Sequence, residues 1–267
     1  MKNNKSNIYG HTPQKQFGQN FLQDESIIND IVNQIKIYSN PNDYIIEIGP
    51  GLCALTDKLV MVFDNLQVIE IDKNLAYKIS LKYPKLKLFN QDALKFDFNI
   101  FASSLNQKIH IVGNLPYNIS SPLLLHLLTH INNIKSQHFM LQREVVDRMV
   151  ATHKTKAYGR LSILLQAHYT MEKTIDVPPQ AFFPPPKVDS AVVLMQPNIQ
   201  VNLKEAKILE YLTRICFSQR RKMLRSFVEH KAIFEEYGID LTKRAEEISV
   251  QEYLNLAKWW NESYPML

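Results

Sequence analysis

Cysteine is scarce in this chain: Cys53 and Cys216 are the two present among 267 residues. They lie far apart and form no Cys-x-x-Cys pair, so neither a zinc site nor a disulfide framework is expected, and no metal is assigned. Long apolar runs are also missing. No stretch approaches the ~18 apolar residues of a membrane span. The first twenty residues are polar and lack the apolar core of a secretory signal. Few cysteines and no signal together predict a cytoplasmic protein without membrane association. Acidic residues are absent before Asp24, whereas Lys2, Lys5 and Lys15 precede it. A second basic segment runs from Arg214 to Lys231, with six Lys or Arg against one acid, Glu229. The overall charge of +5 is a weak pointer to nucleic acid. Two basic segments flanking a neutral centre point more specifically to a surface that contacts phosphates. A solvated helix face is the plain alternative for either one.

What the chain does contain is an alternation of strand-like and helix-like segments. Residues 25–36 carry apolar side chains at helical spacing, and 44–48, 66–71, 86–89, 109–112 and 138–141 read as buried strands. Helices are expected over 52–62, 73–83 and 122–129, the last beginning at Pro122, which suits a first helical position. Segments 170–177 and 188–196 can add strands across a Pro-rich loop. This order predicts an α/β fold with a parallel, doubly wound sheet, whose strand-end loops share one edge. After residue 200 the pattern becomes helical: 203–217, a basic helix over 220–228, and 250–260. The expected division is a catalytic domain over 1–200 and a small helical domain over 201–267.

The unusual residues fall in the strand-end loops. Asn114-Leu115-Pro116-Tyr117 follows a buried strand. Asn and Pro stop a strand, so the run could be a turn and nothing more. It also offers a side-chain amide oxygen, the Leu115 carbonyl and an aromatic face, the groups that hold a planar exocyclic amine and stack on its ring. Glu47-Ile48-Gly49-Pro50-Gly51 joins a strand to a helix, and Glu70 ends the next strand 21 residues after Gly49, where a carboxylate can accept ribose hydroxyls. Gly49 to Ala54 also satisfies G-x-G-x-x-A. On these residues alone, a nicotinamide oxidoreductase and an S-adenosylmethionine enzyme remain open, beside a purely structural turn. Asp92, after the third strand, favours the methyl-transfer reading, since it can accept from an adenine amine beside a donor at Ala93. A dehydrogenase needs a catalytic His, Lys, Tyr or Cys at the hydride acceptor. The histidines are scattered; His110 in a strand and His126 on an apolar helix read as structural.

Taken together, the motifs resemble those of the small-subunit ribosomal RNA adenine dimethyltransferases. The resemblance rests on Lys15 to Leu22 (KQFGQNFL), Glu47 to Gly51 (EIGPG), Asn114 to Pro122 (NLPYNISSP), Phe183 to Ser190 (FPPPKVDS) and Phe217 to Arg225 (FSQRRKMLR). Each motif alone is weak, and their order and spacing make the set specific. The resemblance implies a Rossmann-like class I S-adenosylmethionine-dependent methyltransferase fold with a small C-terminal α-helical domain. It implies that Asn20, Leu22, Gly49, Gly51, Glu70, Asp92, Ala93 and Asn114 line the cofactor pocket. It further implies that Asn114, Leu115, Pro116 and Tyr117 hold the target amine, with Phe183 as a second aromatic wall. Arg220, Arg221, Lys222 and Arg225 are then expected to bind RNA phosphates. The implied reaction is dimethylation of two adjacent adenosines in the 3′-terminal hairpin of 16S rRNA, by a monomer that also acts in small-subunit assembly. Cys53 departs from the Gly or Ala that many members carry, and accommodation is expected because the residue is small. Two other readings share much of this pattern: a large-subunit rRNA methyltransferase of the resistance type, and a non-catalytic assembly factor.

Overall fold

The computed structural model describes residues 19–226 and 231–264. Lys15 to Gly18 of the first motif, Lys2 and Lys5, and residues 227–230 lie outside them. The chain forms two compact units, one of residues up to Val146 with Glu172–Gln196, the other of Asp147–Met171 with Pro197 onward. A single cut at residue 200 does not describe this division. Residues 147–171 fall with the helical unit because Ala151, Tyr158, Ile163, Leu164 and Ala167 share its apolar core.

The first unit is built on an α/β sheet. A short β1 (Phe21–Leu22) precedes α1 (Glu25–Tyr38), whose start is fixed by Asp24, the side chain accepting from Ser26 and Ile27 amides at 3.0 and 3.1 Å. Ile28, Ile31, Val32 and Ile35 form its buried stripe. Then come β2 (Tyr44–Ile48), α2 (Thr56–Leu59), β3 (Asn65–Ile69), α3 (Lys73–Lys82), β4 (Lys87–Phe89), α4 (Phe98–Leu105), β5 (Ile109–Asn114), α5 (Ser120–Leu128), β6 (Ile134–Gln142) and α6 (Arg143–Met149). After α7 (Arg160–Gln166) follow β7 (Tyr169–Val177), β8 (Phe182–Phe183) and β9 (Ser190–Pro197). The seven-stranded sheet has the order β4-β3-β2-β5-β6-β9-β7. Strands β2 to β6 pair in parallel, and β9 runs antiparallel to β6. The sheet is therefore mixed, with the antiparallel strand on the far side of β6. A separate two-stranded sheet pairs Phe21 with Phe183 and Leu22 with Phe182.

Several local expectations change. The helix expected over 52–62 shrinks to Thr56–Leu59, because the chain before it is coiled through positive-φ residues. Helix α5 begins at Ser120, so Pro122 sits in its first turn rather than at its first position. Strand β5 continues two residues past Val112, making Asn114 its last residue.

The second unit contains α7, α8 (Leu203–Cys216), α9 (Lys231–Tyr237) and α10 (Val250–Ser263). Reciprocal caps start its two long helices: Asn202 with Glu205 at α8, Ser249 with Glu252 at α10. Leu209, Leu212, Phe234, Tyr253, Leu256 and Trp260 form its core. The basic helix expected over 220–228 is absent from 220–226. The segment instead turns and ends in a short 3₁₀ helix, Leu224–Ser226, where the Leu224 and Arg225 amides donate to the Lys243 and Leu241 carbonyls at 3.0 Å each.

Candidate active site

The strand-end edge of the first unit holds a cavity of about 330 Å³. Its floor is the turn after β2. Gly49 and Gly51 adopt φ of +68° and +57°, open to glycine at no steric cost. Cys53 adopts φ +72° with a side chain, a conformation that costs an L-residue about 1–2 kcal/mol. Its thiol is buried against Val68 and Ile79, and burial pushes it up to about 12, so it carries no thiolate chemistry. The turn lies hard against the neighbouring strand: a Cβ built on Gly113 of β5 would stand 2.5 Å from the Ile48 carbonyl oxygen. Closeness at this point lets β2 and β5 deliver their loops to one cavity.

Two carboxylates flank the floor, Glu70 buried and Asp92 half-buried. Glu70 accepts from the Asp72 amide at 2.9 Å and the Gly51 amide at 3.3 Å, one on each oxygen. A carboxylate has about four acceptor positions, so acceptor capacity remains for hydroxyl donors. Burial raises its pKa, while the amide bonds oppose that shift. Asp92 caps a short turn by accepting from the Leu94 amide at 2.9 Å through Oδ1. Its carboxylate has further acceptor capacity beside Ala93, which lines the cavity with it. A hydroxyl-accepting carboxylate and an amine-accepting carboxylate, beside a glycine turn whose backbone a ligand can approach closely, form a set that fits an adenosyl cofactor.

The opposite wall is the loop after β5. The Asn114 side-chain nitrogen donates to the Asn20 carbonyl at 3.1 Å. This bond fixes the amide plane and leaves the oxygen as the end that receives a donor. The Pro116 carbonyl accepts from the Ile119 amide and the Ser120 hydroxyl, both at 3.1 Å, which closes the turn. Tyr117 is half-buried; its hydroxyl lies 2.7 Å from the Ser190 hydroxyl, and burial raises its pKa, so it stays protonated. The segment before β1 forms a third wall. Gln19 donates to Asp72 at 3.2 Å, and Asp72 caps α3.

All eleven residues expected at the cofactor and target-amine positions, from Asn20 to Tyr117, line this one cavity. Phe183 does not; it pairs with Phe21, which does. Two residues that the sequence shows within its motifs, but to which it assigns no role, also contribute. Phe21 packs so close to Gly51 that a Cβ there would meet its ring at 3.2 Å. Glu47, 2% exposed, is pushed up to about 8 by burial despite a 2.6 Å hydrogen bond from Thr56. Its signal was available as an acid inside the apolar strand YIIEI.

In the second unit, Arg220 has a structural position. Its guanidinium donates to Glu246 at 2.8 Å and to the Lys156 and Tyr158 carbonyls at 2.6 and 2.9 Å. Arg221, Lys222 and Arg225 are exposed.

Among known proteins, the ribosomal RNA adenine dimethylase family matches residues 10–262. Ribosomal RNA small subunit methyltransferase A of Cupriavidus metallidurans is 48% identical, covering 95% of each chain. That of Acidovorax ebreus is 48% identical over 93% of this chain and 98% of its own. The crystal structure of a dimethyladenosine transferase from Plasmodium falciparum superposes with a TM-score of 0.78 at 26% identity, covering 91% of this chain and 98% of that one. The 23S rRNA methyltransferase ErmE shares the fold at a TM-score of 0.65 and 22% identity, covering 90% of this chain and 98% of that one. With the cavity, its loops and nearly the whole length accounted for together, the chain belongs to the ribosomal RNA adenine dimethylases, class I enzymes that methylate rRNA adenines with S-adenosylmethionine.

Proposed function

We propose that this chain dimethylates the exocyclic N6 amines of two adjacent adenosines in the 3′-terminal hairpin of 16S rRNA, within the small ribosomal subunit or its precursor. We place it in the cytoplasm as a monomer. The observation that carries the reading is the Asn114 amide, held by Asn20 in the same cavity as Gly51, Glu70 and Asp92. An acceptor for the target amine thus stands beside the groups that fit the cofactor.

The residues divide the work. Gly49, Gly51, Glu70, Asp92 and Ala93, with Asn20 and Leu22, would hold the cofactor, whose sulfonium supplies an electrophilic methyl group. The Asn114 oxygen and the Leu115 carbonyl accept the two N–H groups of the adenine amine. Drawing those protons aside favours a pyramidal nitrogen, whose lone pair is otherwise conjugated with the ring. Positioning supplies much of the remaining acceleration. Tyr117 stacks on the base, and the family resemblance gives Phe183, which lies outside the cavity lining beside Phe21, the role of second wall. The adenine leaves its stack at a cost on the order of a few kcal/mol, offset by ~1–3 kcal/mol of stacking. Arg221, Lys222 and Arg225 contact RNA phosphates and position the substrate without reading its bases.

The test is transfer of labelled methyl from S-adenosylmethionine to purified small subunits that lack adenine dimethylation, with Asn114→Ala in parallel and the RNA digested to nucleosides. Dimethyladenosine from wild type alone is the expected result. Tight subunit binding without transfer would replace this reading with an assembly factor. Transfer confined to large-subunit RNA would replace it with the resistance-type enzyme.

A further inference from the structure

We infer that Ser190 is a positioning residue for the transfer: its hydroxyl holds the Tyr117 ring at the plane on which the target base stacks. The inference rests on the stacking role proposed for Tyr117. Ser190 is fully buried and lies outside the cavity lining, so it acts through Tyr117. The contact spans 2.7 Å between the two hydroxyls, and either can donate.

The two partners differ in how firmly they are held. Tyr117 belongs to the short connection between β5 and α5, where a side chain with two rotatable angles can swing. Ser190 is the first residue of β9 and sits opposite Gln142 in the antiparallel pair with β6. The preceding residue is fixed as well, since the Asp189 carbonyl accepts from the Arg143 amide at 2.9 Å. The sheet therefore supplies a fixed point for the far end of the ring, while the closed turn at Pro116 fixes its near end. A ring tied at both ends presents one plane to the base. A ring tied only at its backbone end samples several, and the fraction of bound bases aligned for transfer falls accordingly. Loss of this order affects the reacting complex and leaves the cofactor side, built from β2, β3 and β4 loops, as it was.

The experiment measures methyl transfer to undermethylated small subunits for wild type, Ser190→Ala, Tyr117→Phe, the double variant and Tyr117→Ala, with cofactor affinity by titration and thermal unfolding for each. Ser190→Ala and Tyr117→Phe remove the same hydrogen bond from opposite ends. Each is expected to lower kcat to a similar extent, roughly tenfold, with KM for subunits and cofactor Kd unchanged. The double variant should be no slower than the slower single variant. Multiplying effects in the double variant, wild-type kcat in Ser190→Ala, or equal losses of kcat and cofactor affinity would overturn the inference. Tyr117→Ala separates the two levels. Full transfer by that variant would remove the stacking role itself, whereas its inactivity beside a fully active Ser190→Ala would remove only the role of Ser190.

Discussion

Replacing Gly113 by alanine should damage both the sheet and the site, by an amount the structure bounds. The new Cβ would stand 2.5 Å from the Ile48 carbonyl oxygen, where a carbon needs at least ~3.0 Å. About half an ångström must be found between two strand backbones. The obstructing atom is backbone, so no flexible side chain can yield. Ile48 is itself held from the other side, paired with Ile69 of β3, and the Gly49 amide donates to the Ile69 carbonyl at 2.9 Å. Overpacking of this kind costs ~1–3 kcal/mol, offset by ~0.4–1 kcal/mol from restricting the unfolded chain. A net loss of about 1–2 kcal/mol corresponds to a fall in Tm of roughly 2–8 °C for a chain of this size. The displaced residue leads directly into Gly49, so cofactor affinity should fall roughly 10- to 100-fold. Thermal unfolding and calorimetric titration with S-adenosylmethionine measure the two effects. Gly159→Ala is the control, because a Cβ there meets nothing within 4 Å. Wild-type Tm and affinity in Gly113→Ala would refute the close-approach argument.

His138 should make the protein acid-sensitive. It is 2% exposed, both ring nitrogens lack hydrogen-bond partners among the described residues, and burial pushes it down to about 4. The unfolded chain binds a proton that the folded one refuses, so stability falls as pH drops from about 6.5 to 4, by about 2–3 kcal/mol. His138→Phe, which keeps a ring against Tyr38, should lose less in urea titrations at pH 7 and 4.5. Glu47 has the opposite sign. Raised from 4.5 to about 8, it favours folding below pH 4.5 and loses that contribution as pH rises through 8, on the order of 4 kcal/mol. Unfolding midpoints between pH 5 and 9 should therefore decline less in Glu47→Gln than in wild type. Arg220→Ala should lower stability by ~1–3 kcal/mol through loss of its ties to Glu246, Lys156 and Tyr158. Arg221→Ala with Lys222→Ala should leave Tm unchanged and reduce the salt dependence of subunit binding by ~1–2 phosphate contacts, with cofactor affinity intact. Equal loss of cofactor and RNA affinity in that pair would argue against separate roles.

The parts legible in the sequence are those set by local pattern. The stripe Ile28, Ile31, Val32, Ile35 and the strand YIIEI declare themselves, as do the Asn114 run and the Gly49-Pro50-Gly51 turn. Parts set by distant pairing were hidden. Two residues at 21–22 and two at 182–183 carry no periodicity, yet they form a sheet that brings Phe21 to the cavity. Helix α4 was overlooked, although Asp97 caps its start and Asn106 ends it in the left-handed conformation. Its segment FNIFASSL is apolar on several sides and shows no clean stripe. Arg220 reads as one more positive charge in a basic run. Only the fold shows that two backbone carbonyls and Glu246 claim it.

The bond from the Asn114 amide nitrogen to the Asn20 carbonyl makes position 114 a reader of one polarity. On the proposed reading it greets hydrogen donors and opposes acceptors. A base with an amino group at that edge satisfies it. Guanine or uracil would set carbonyl against carbonyl, at about 1–3 kcal/mol for the unmet pair. The same polarity follows the reaction to its end. Adenine arrives with two N–H groups, keeps one after the first methylation and has none after the second. The finished base has nothing left to offer the amide that held it, so release becomes easier as the product is completed.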